Sequence, residues 1–367
     1  MTVAAGRIRA FDWLKGLAVV VMVQTHTIAL LRPELMGSPL HQRLNWIDGL
    51  VAPSFILTSG FALALVQVRG AASGGQVRRA LKSLRRIGEV LLVAVYMISL
   101  WFPITLEPKW LLRIDILPCI GLSLLAALPV FVGLARWPRL LSAVCAAIGL
   151  GIIVGTPAVW ATAGGLARQL MTNTRTDIGS PFPLFPWAGY VFLGGALGAV
   201  AARSSAKILA LSTVALAAVG GAIWLFAARM MEGSAWPWWA AANHAQRVVV
   251  VSGLILAMLA AERLLPASVQ RGWVVRFFEV FGTSSLAAYF GHEVMLFKNV
   301  FGVCFNTLWG KSAGWPLYWA LTAALIGLTF VFTWAVAQVY DHGREWLRAG
   351  ISRLRSGSPK PPSLSQP

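Results

Sequence analysis

The sequence predicts an all-α, polytopic integral membrane protein with about ten transmembrane helices and both termini in the cytoplasm. Hydrophobic residues make up 57% of the 367 and charged residues only 12%. The mean hydropathy of +0.71 lies outside the range of soluble domains. Each apolar run approaches the roughly 20 residues that a helix needs to cross about 30 Å of hydrocarbon. No alternating pattern of about ten residues suggests a β-barrel.

Taken in order, the spans fall at roughly 14–31, 47–68, 87–105, 115–134 and 139–157, then 184–201, 207–227, 247–264, 279–300 and 316–338. The first lacks a small-residue cleavage site and is followed by many others, so it reads as a retained helix and not as a signal peptide. Placing the N-terminus in the cytoplasm assigns roughly two-thirds of the 31 Lys and Arg to inner segments, which satisfies the positive-inside rule. The most basic connection runs from Arg69 through Arg78, Arg79, Lys82 and Arg85 to Arg86 and should face the cytoplasm. The outer connections are rich in tryptophan, at AWPWW (235–239) and from Trp309 to Trp319, as an interfacial aromatic belt or a sugar-stacking surface would be. The last segment, SGSPKPPSLSQP, lacks apolar periodicity and is expected to be disordered.

The net charge of +18 is carried between the apolar runs, so it is topological and gives no footprint for nucleic acid. Cys119, Cys145 and Cys304 are scattered without metal spacing and read as small buried hydrophobes. The five histidines are equally dispersed, so no metal site is expected. No internal repeat supports an inverted-repeat transporter.

On this topology a set of ionisable groups collects at one membrane level although the residues are far apart in sequence. His26 lies in the outer half of the first helix, in the polar run Gln24, Thr25, His26. His41 lies in the first outer loop, Asp48 at the start of the second helix and Asp115 at the outer start of the fourth. His292 and Glu293 lie in the outer part of the ninth. Intramembrane polar groups usually face a protein interior or wet cavity, and a histidine beside a carboxylate suits general acid–base catalysis. The plainer readings are a hydrogen-bonded structural role for His26 and a surface position for His41. His244 and His342 read as interfacial and solvent-exposed. Asp12, beside Arg9 and Lys15, equally suits a helix-start ion pair.

Several local patterns resemble the transmembrane acyltransferase superfamily, particularly bacterial proteins similar to heparan-α-glucosaminide N-acetyltransferase. They are RIRAFDWLKGLAVVVMVQTH (7–26), with Lys15 where that family usually has arginine, APSFILTSGFALAL (52–65) and DILPCIGLSLL (115–125). SPFPLFPWAGYVFLGGALG (180–198) and GTSSLAAYFGHEVML (282–296) follow in the same order as in the family. The resemblance implies a single acyltransferase-like domain over 1–345, with 346–367 as a basic Pro/Ser-rich cytoplasmic tail. It also implies a bacterial inner-membrane location and transfer of an acetyl or other short acyl group from cytoplasmic acetyl-CoA to a carbohydrate at the outer face. By loop position the heparan enzyme's reactive histidine matches His41, whereas bacterial sugar O-acyltransferases with the same opening motif use the one matching His26; His26 ranks first.

The phosphates of coenzyme A cannot enter hydrocarbon unpaired, and Arg7, Arg9, Lys15, Arg85 and Arg86 are the expected cations for them. Attraction to anionic lipid explains the same charges equally well. No permanently bound cofactor is expected, and a homodimer is compatible with the sequence. A proton-coupled exporter through His26, Asp48 and Asp115, or a non-catalytic partner in envelope assembly, remain as rival readings.

Overall fold

The structure is a computed structural model that describes residues 7–102, 105–172, 179–231, 237–299 and 302–356. The described residues form helices and short 3₁₀ turns with one isolated bridge, Leu31 to Ala313, and no strand. The helices are α1 (Arg9–Thr27), α2 (Pro39–Asp48), α3 (Val51–Ala72), α4 (Gln76–Trp101), α5 (Ile116–Gly133), α6 (Pro138–Thr162), α7 (Gly165–Met171) and α8 (Leu184–Ala201). They continue as α9 (Ala206–Met231), α10 (Pro237–Leu264), α11 (Ala267–Gln270), α12 (Trp273–Thr283), α13 (Ser285–Phe297), α14 (Phe305–Trp309) and α15 (Trp315–Ser356). Seven described segments are long and apolar enough to cross a membrane: Arg9–Leu30, Pro39–Ala72, Ile116–Gly133, Pro138–Thr162, Leu184–Ala201, Ala206–Met231 and Trp315–Tyr340. The three other expected spans fall on α4, α10 and the α12–α13 pair.

Three expectations are corrected. The ninth span is not one helix: at Ser284 (φ −118°, ψ 32°) the backbone leaves α12 and restarts as α13. The basic connection is not a loop, because α4 is already helical from Gln76 and carries Arg78 to Arg86 on its first turns. The first outer loop contains α2, started by Ser38, whose hydroxyl accepts from the His41 N–H, and by Pro39 in the first turn. Trp236 of AWPWW and the 357–367 tail lie outside the described residues, and α15 continues as helix to Ser356.

Small residues let the central helices approach closely. On α8, a Cβ at Gly194 or Gly198 would run into the backbone carbonyls of Leu57 or Phe61 on α3, and one at Gly60 into that of Val191. That is the small-xxx-small packing of membrane helices, where dispersion and not water release holds helices together. The same device joins α1 to α12, with Gly16 against the Phe278 carbonyl and Gly282 against that of Asp12.

The first helix is fixed at both ends. Its first backbone N–H groups, on Arg9 and Ala10, donate to the two oxygens of Glu262 at 3.0 Å each, so a carboxylate from α10 satisfies donors that a helix start leaves orphaned. At its other end Gln24 donates to the Tyr318 hydroxyl of α15 at 2.7 Å, and that hydroxyl donates back to the Gln24 carbonyl. The connection after α1 is strapped to the turn before α15 by Ala313 N–H to Leu30 carbonyl and Arg32 N–H to Ala313 carbonyl. These ties set the depth and rotation of α1, and with them the position of His26.

Candidate active site

A cavity of about 990 Å³ runs between α1, α3, α4, α5 and α13. Lys15, Arg86 and Glu89 line one end, called here the basic end. The far end is lined by Asp48 and Gly49 at the α2–α3 corner, by Arg113 and Asp115 before α5, by Trp187 of α8 and by Arg247 of α10. His26 and Glu293 sit on the wall between them.

His26 is held by two neighbours from α13. Its Nδ1 lies 2.5 Å from Oε1 of Glu293 and 2.8 Å from Nε2 of His292. His292 is completely buried, and its Nδ1 lies 2.9 Å from the Ala288 carbonyl oxygen. A carbonyl only accepts, so His292 carries its proton on Nδ1 and presents a lone pair on Nε2. Nδ1 of His26 therefore faces two acceptors and must itself be the donor. That leaves Nε2 of His26 with a lone pair, with no partner among the described residues, on a ring that borders the cavity. A carboxylate behind Nδ1 is the arrangement that fixes an imidazole's tautomer and stabilises its protonated form when Nε2 takes a proton.

The polar atoms of His26, His292 and Glu293 lie within 4.8 Å of one another, close enough to be considered as a cation site. Their separations of 2.5 and 2.8 Å are those of shared protons, however, so the cluster is built as a hydrogen-bonded relay.

At the far end, Asp115 caps α5 by accepting the Ile116 N–H at 2.7 Å. The strand of backbone before it is pinned by Ile114 N–H to the Ser180 hydroxyl and by Phe182 N–H to the Ile114 carbonyl. Both carboxylate oxygens of Asp48 are shielded from solvent and make no hydrogen bond of normal geometry among the described residues, although the Thr25 hydroxyl lies beside them.

Of the residues expected from the sequence, the structure brings His26, Asp48 and Asp115 to one cavity and puts His292 directly behind His26. It does not bring His41 there. That side chain stays on the outside of α2, where its Nδ1 accepts the Gly37 N–H at 3.0 Å and so serves the turn before the helix.

The expected coenzyme cations divide in the same way. Lys15 and Arg86 line the basic end, whereas Arg7 pairs with Asp12, and the exposed Arg85 does not line the cavity but pairs at 2.9 Å with Glu89, which does. Arg9 is committed to Glu279 at 2.5 Å and to the Gln270 side chain and carbonyl at 3.0 and 2.7 Å. Each of these three is paired with a carboxylate, and none of them borders the cavity. Glu293 was visible in GHEVML as a neighbour of His292, but no sequence signal said that it, and not Asp48 or Asp115, would meet His26. Arg247 also borders the cavity and was not singled out in the sequence, where it closes the polar stretch NHAQR of α10 and reads first as a topological charge.

No curated protein matches this chain. The family model described as heparan-alpha-glucosaminide N-acetyltransferase, catalytic, matches residues 7–230, which holds His26, Asp48, Asp115, Lys15 and Arg86 and stops before α10 and α13. With more than half its length matched, and with apolar helices around a cavity that several ionisable side chains border, this integral membrane protein belongs to the heparan-alpha-glucosaminide N-acetyltransferase catalytic family of membrane acetyltransferases.

Proposed function

We propose that the protein moves an acetyl or other short acyl group from acyl-CoA, bound from the cytoplasmic side, to a hydroxyl or amine of a carbohydrate at the outer face of a bacterial inner membrane. One observation carries the reading: a single cavity joins a cationic end, a Glu293-backed imidazole and a carboxylate-bearing far end. Lys15 and Arg86 supply charge for the coenzyme's phosphates, which need paired cations in so apolar a setting. The uncharged pantetheine arm then leads the thioester along the cavity to His26.

The reaction needs one proton carrier. Nε2 of His26 takes the proton of the acceptor hydroxyl or amine as that atom attacks the thioester carbonyl. Glu293 and His292 hold the resulting imidazolium. As the tetrahedral intermediate collapses, the C–S bond breaks and the imidazolium proton passes to the leaving thiolate, so the histidine returns to its starting tautomer. Asp48 and Asp115 are positioned to accept hydrogen bonds from the acceptor, and the two unpartnered oxygens of Asp48 have capacity for them.

The test is turnover of radiolabelled acetyl-CoA by purified protein in detergent, with and without mono- and disaccharide acceptors. Release of free coenzyme A with label in the sugar supports the reading. Binding without release, or no interaction with acyl-CoA at all, would favour an exporter or a non-catalytic envelope partner.

A further inference from the structure

On the proposed acyl transfer, the thioester has to be activated as well as attacked. When a nucleophile adds to its carbonyl, negative charge builds on the oxygen, and hydrogen-bond donors aimed there are usually the largest single catalytic contribution. The immediate neighbours of His26 supply the opposite. Glu293 and Nε2 of His292 accept, and Asp48 and Asp115 bring further carboxylates to the cavity. Neither helix offers a backbone donor at this level, because α1 runs unbroken to Thr27 and α13 to Phe297, and their N–H groups there are taken within the helices. The hydroxyls of Thr25 and Ser59 border the cavity but already donate to the Val21 and Phe55 carbonyls, at 2.8 and 2.7 Å.

Tyr289 differs from all of these. It borders the cavity on α13 from the same helix face as Leu286, Glu293 and Phe297, at steps of three and four residues. Its ring stands edge-on to that of His292, centroids 5.6 Å apart, and the His292 ring lies 4.9 Å from that of His26. Its hydroxyl makes no hydrogen bond among the described residues. Its level follows from the packing of α1. Gly282, just before α13, lies against the Asp12 carbonyl near the basic end, while His292 and Glu293 meet His26. Tyr289 precedes Glu293 by four residues, so it sits one turn, or about 6 Å, nearer the basic end. Ser284 and Ser285, which also line the cavity, lie a further turn away from His26. A thioester brought up from Lys15 and Arg86 therefore passes the phenol immediately before it reaches the imidazole.

We infer that Tyr289 is a catalytic residue of this site: its hydroxyl donates to the carbonyl oxygen of the acyl thioester and holds the oxyanion of the tetrahedral intermediate. The phenol keeps its proton throughout. As the acceptor atom adds, the π electron pair of the carbonyl moves onto that oxygen, which then takes a stronger hydrogen bond. As the C–S bond breaks, the carbonyl re-forms and the proton held on His26 goes to the thiolate. His26 and Glu293 thus manage the proton, and Tyr289 manages the charge on oxygen. The catalytic role rests on the proposed acyl transfer, whereas the contact with the thioester oxygen exists in the bound complex before any transfer.

Contact and turnover are therefore read separately. The contact is read by isotope-edited infrared spectroscopy of acetyl-CoA labelled with ¹³C at the thioester carbonyl and bound to purified full-length His26→Ala, which holds the ligand without rapid turnover. A hydrogen bond weakens the C=O bond, so adding Tyr289→Phe to that protein should move the carbonyl stretch to higher frequency. Turnover is read as coenzyme A release by otherwise native protein. Tyr289→Phe should lower kcat by about 10² to 10³, with acetyl-CoA affinity within a few-fold of wild type and an unchanged unfolding temperature. Phenylalanine keeps the edge-on packing against His292, so a merely structural tyrosine predicts wild-type kcat. The inference is overturned if Tyr289→Phe retains that kcat, or if the stretch is the same with and without the hydroxyl. Should the stretch shift while wild type releases no coenzyme A, the contact stands and the acyl-transfer reading falls, taking the catalytic role with it.

Discussion

At the scale of single residues, the proposed transfer gives His26 and Glu293 different roles, and those roles predict different losses. Removing the base should cost about 10² to 10⁴ in rate. In Glu293→Gln the amide oxygen still accepts from Nδ1 of His26 but no negative charge stabilises the imidazolium, so a loss of roughly 10²-fold or more in kcat is expected with a modest change in KM. Steady-state kinetics at fixed acetyl-CoA check this, and unchanged kcat would remove Glu293 from the mechanism. His41→Ala should lower stability slightly by freeing the Gly37 N–H, and should leave kcat within a few-fold of wild type. The contrast shows what single residues disclose in a sequence. His26 stands out in the sequence because an imidazole has no reason to sit in a lipid-facing run, and the structure puts it on the cavity wall. His41 is a candidate only by loop position, which says nothing about which way a side chain turns, and its ring accepts the Gly37 N–H away from the cavity. Glu293 was hidden because its importance depends on the rotation of α13 against α1, and no local pattern encodes that.

The elements owe their positions to close helix contacts, and those are open to test. Gly194→Leu would force a side chain into the Leu57 carbonyl across the α3–α8 seam, where backbone and not a movable side chain is the obstacle. Overpacking of this kind costs typically about 1–3 kcal/mol. The prediction is a lower unfolding temperature in detergent, whereas Gly151→Ala, whose Cβ meets nothing nearby, should be close to neutral. The helical class and seven of the apolar spans were readable from apolar runs, but the α12–α13 break was not. GTSS (282–285) gives only a weak local signal, and the decisive contact is Gly282 against Asp12 on a helix 270 residues away in sequence. The basic segment shows the same limit. Its sequence marks Arg85 and Arg86 as equivalent, while the helical phase of α4 places Arg86 on the cavity lining and leaves Arg85 off it, exposed and paired with Glu89. Accordingly, Arg86→Gln should weaken acetyl-CoA binding more at low salt than at high salt, because exposed attraction is screened over about 10 Å at 0.1 M. Arg85→Gln should have little effect; equal losses from both would return the arginines to a general electrostatic role.

At the scale of the whole molecule, the cavity only makes sense as a transmembrane route if its basic end faces the cytoplasm. With the buried native cysteines left in place, Ser73→Cys in the α3–α4 turn should react with a membrane-impermeant maleimide only after spheroplasts are opened, and Glu34→Cys before α2 should react in intact ones. The reverse pattern would put the acceptor end in the cytoplasm and end the cross-membrane account. Membrane class, approximate span number and family were accessible from composition and ordered motifs, since they are written in local runs. The joining of the two ends through one cavity was not, because it depends on how helices far apart in sequence close around it. If His26 acts on a thioester delivered through that cavity, its loss separates chemistry from binding. The decisive measurement is coenzyme A release from acetyl-CoA by purified His26→Ala, taken beside its acetyl-CoA affinity. The predicted result is a loss of about 10² to 10⁴ in rate with affinity within a few-fold of wild type. Turnover retained at the wild-type level would contradict it.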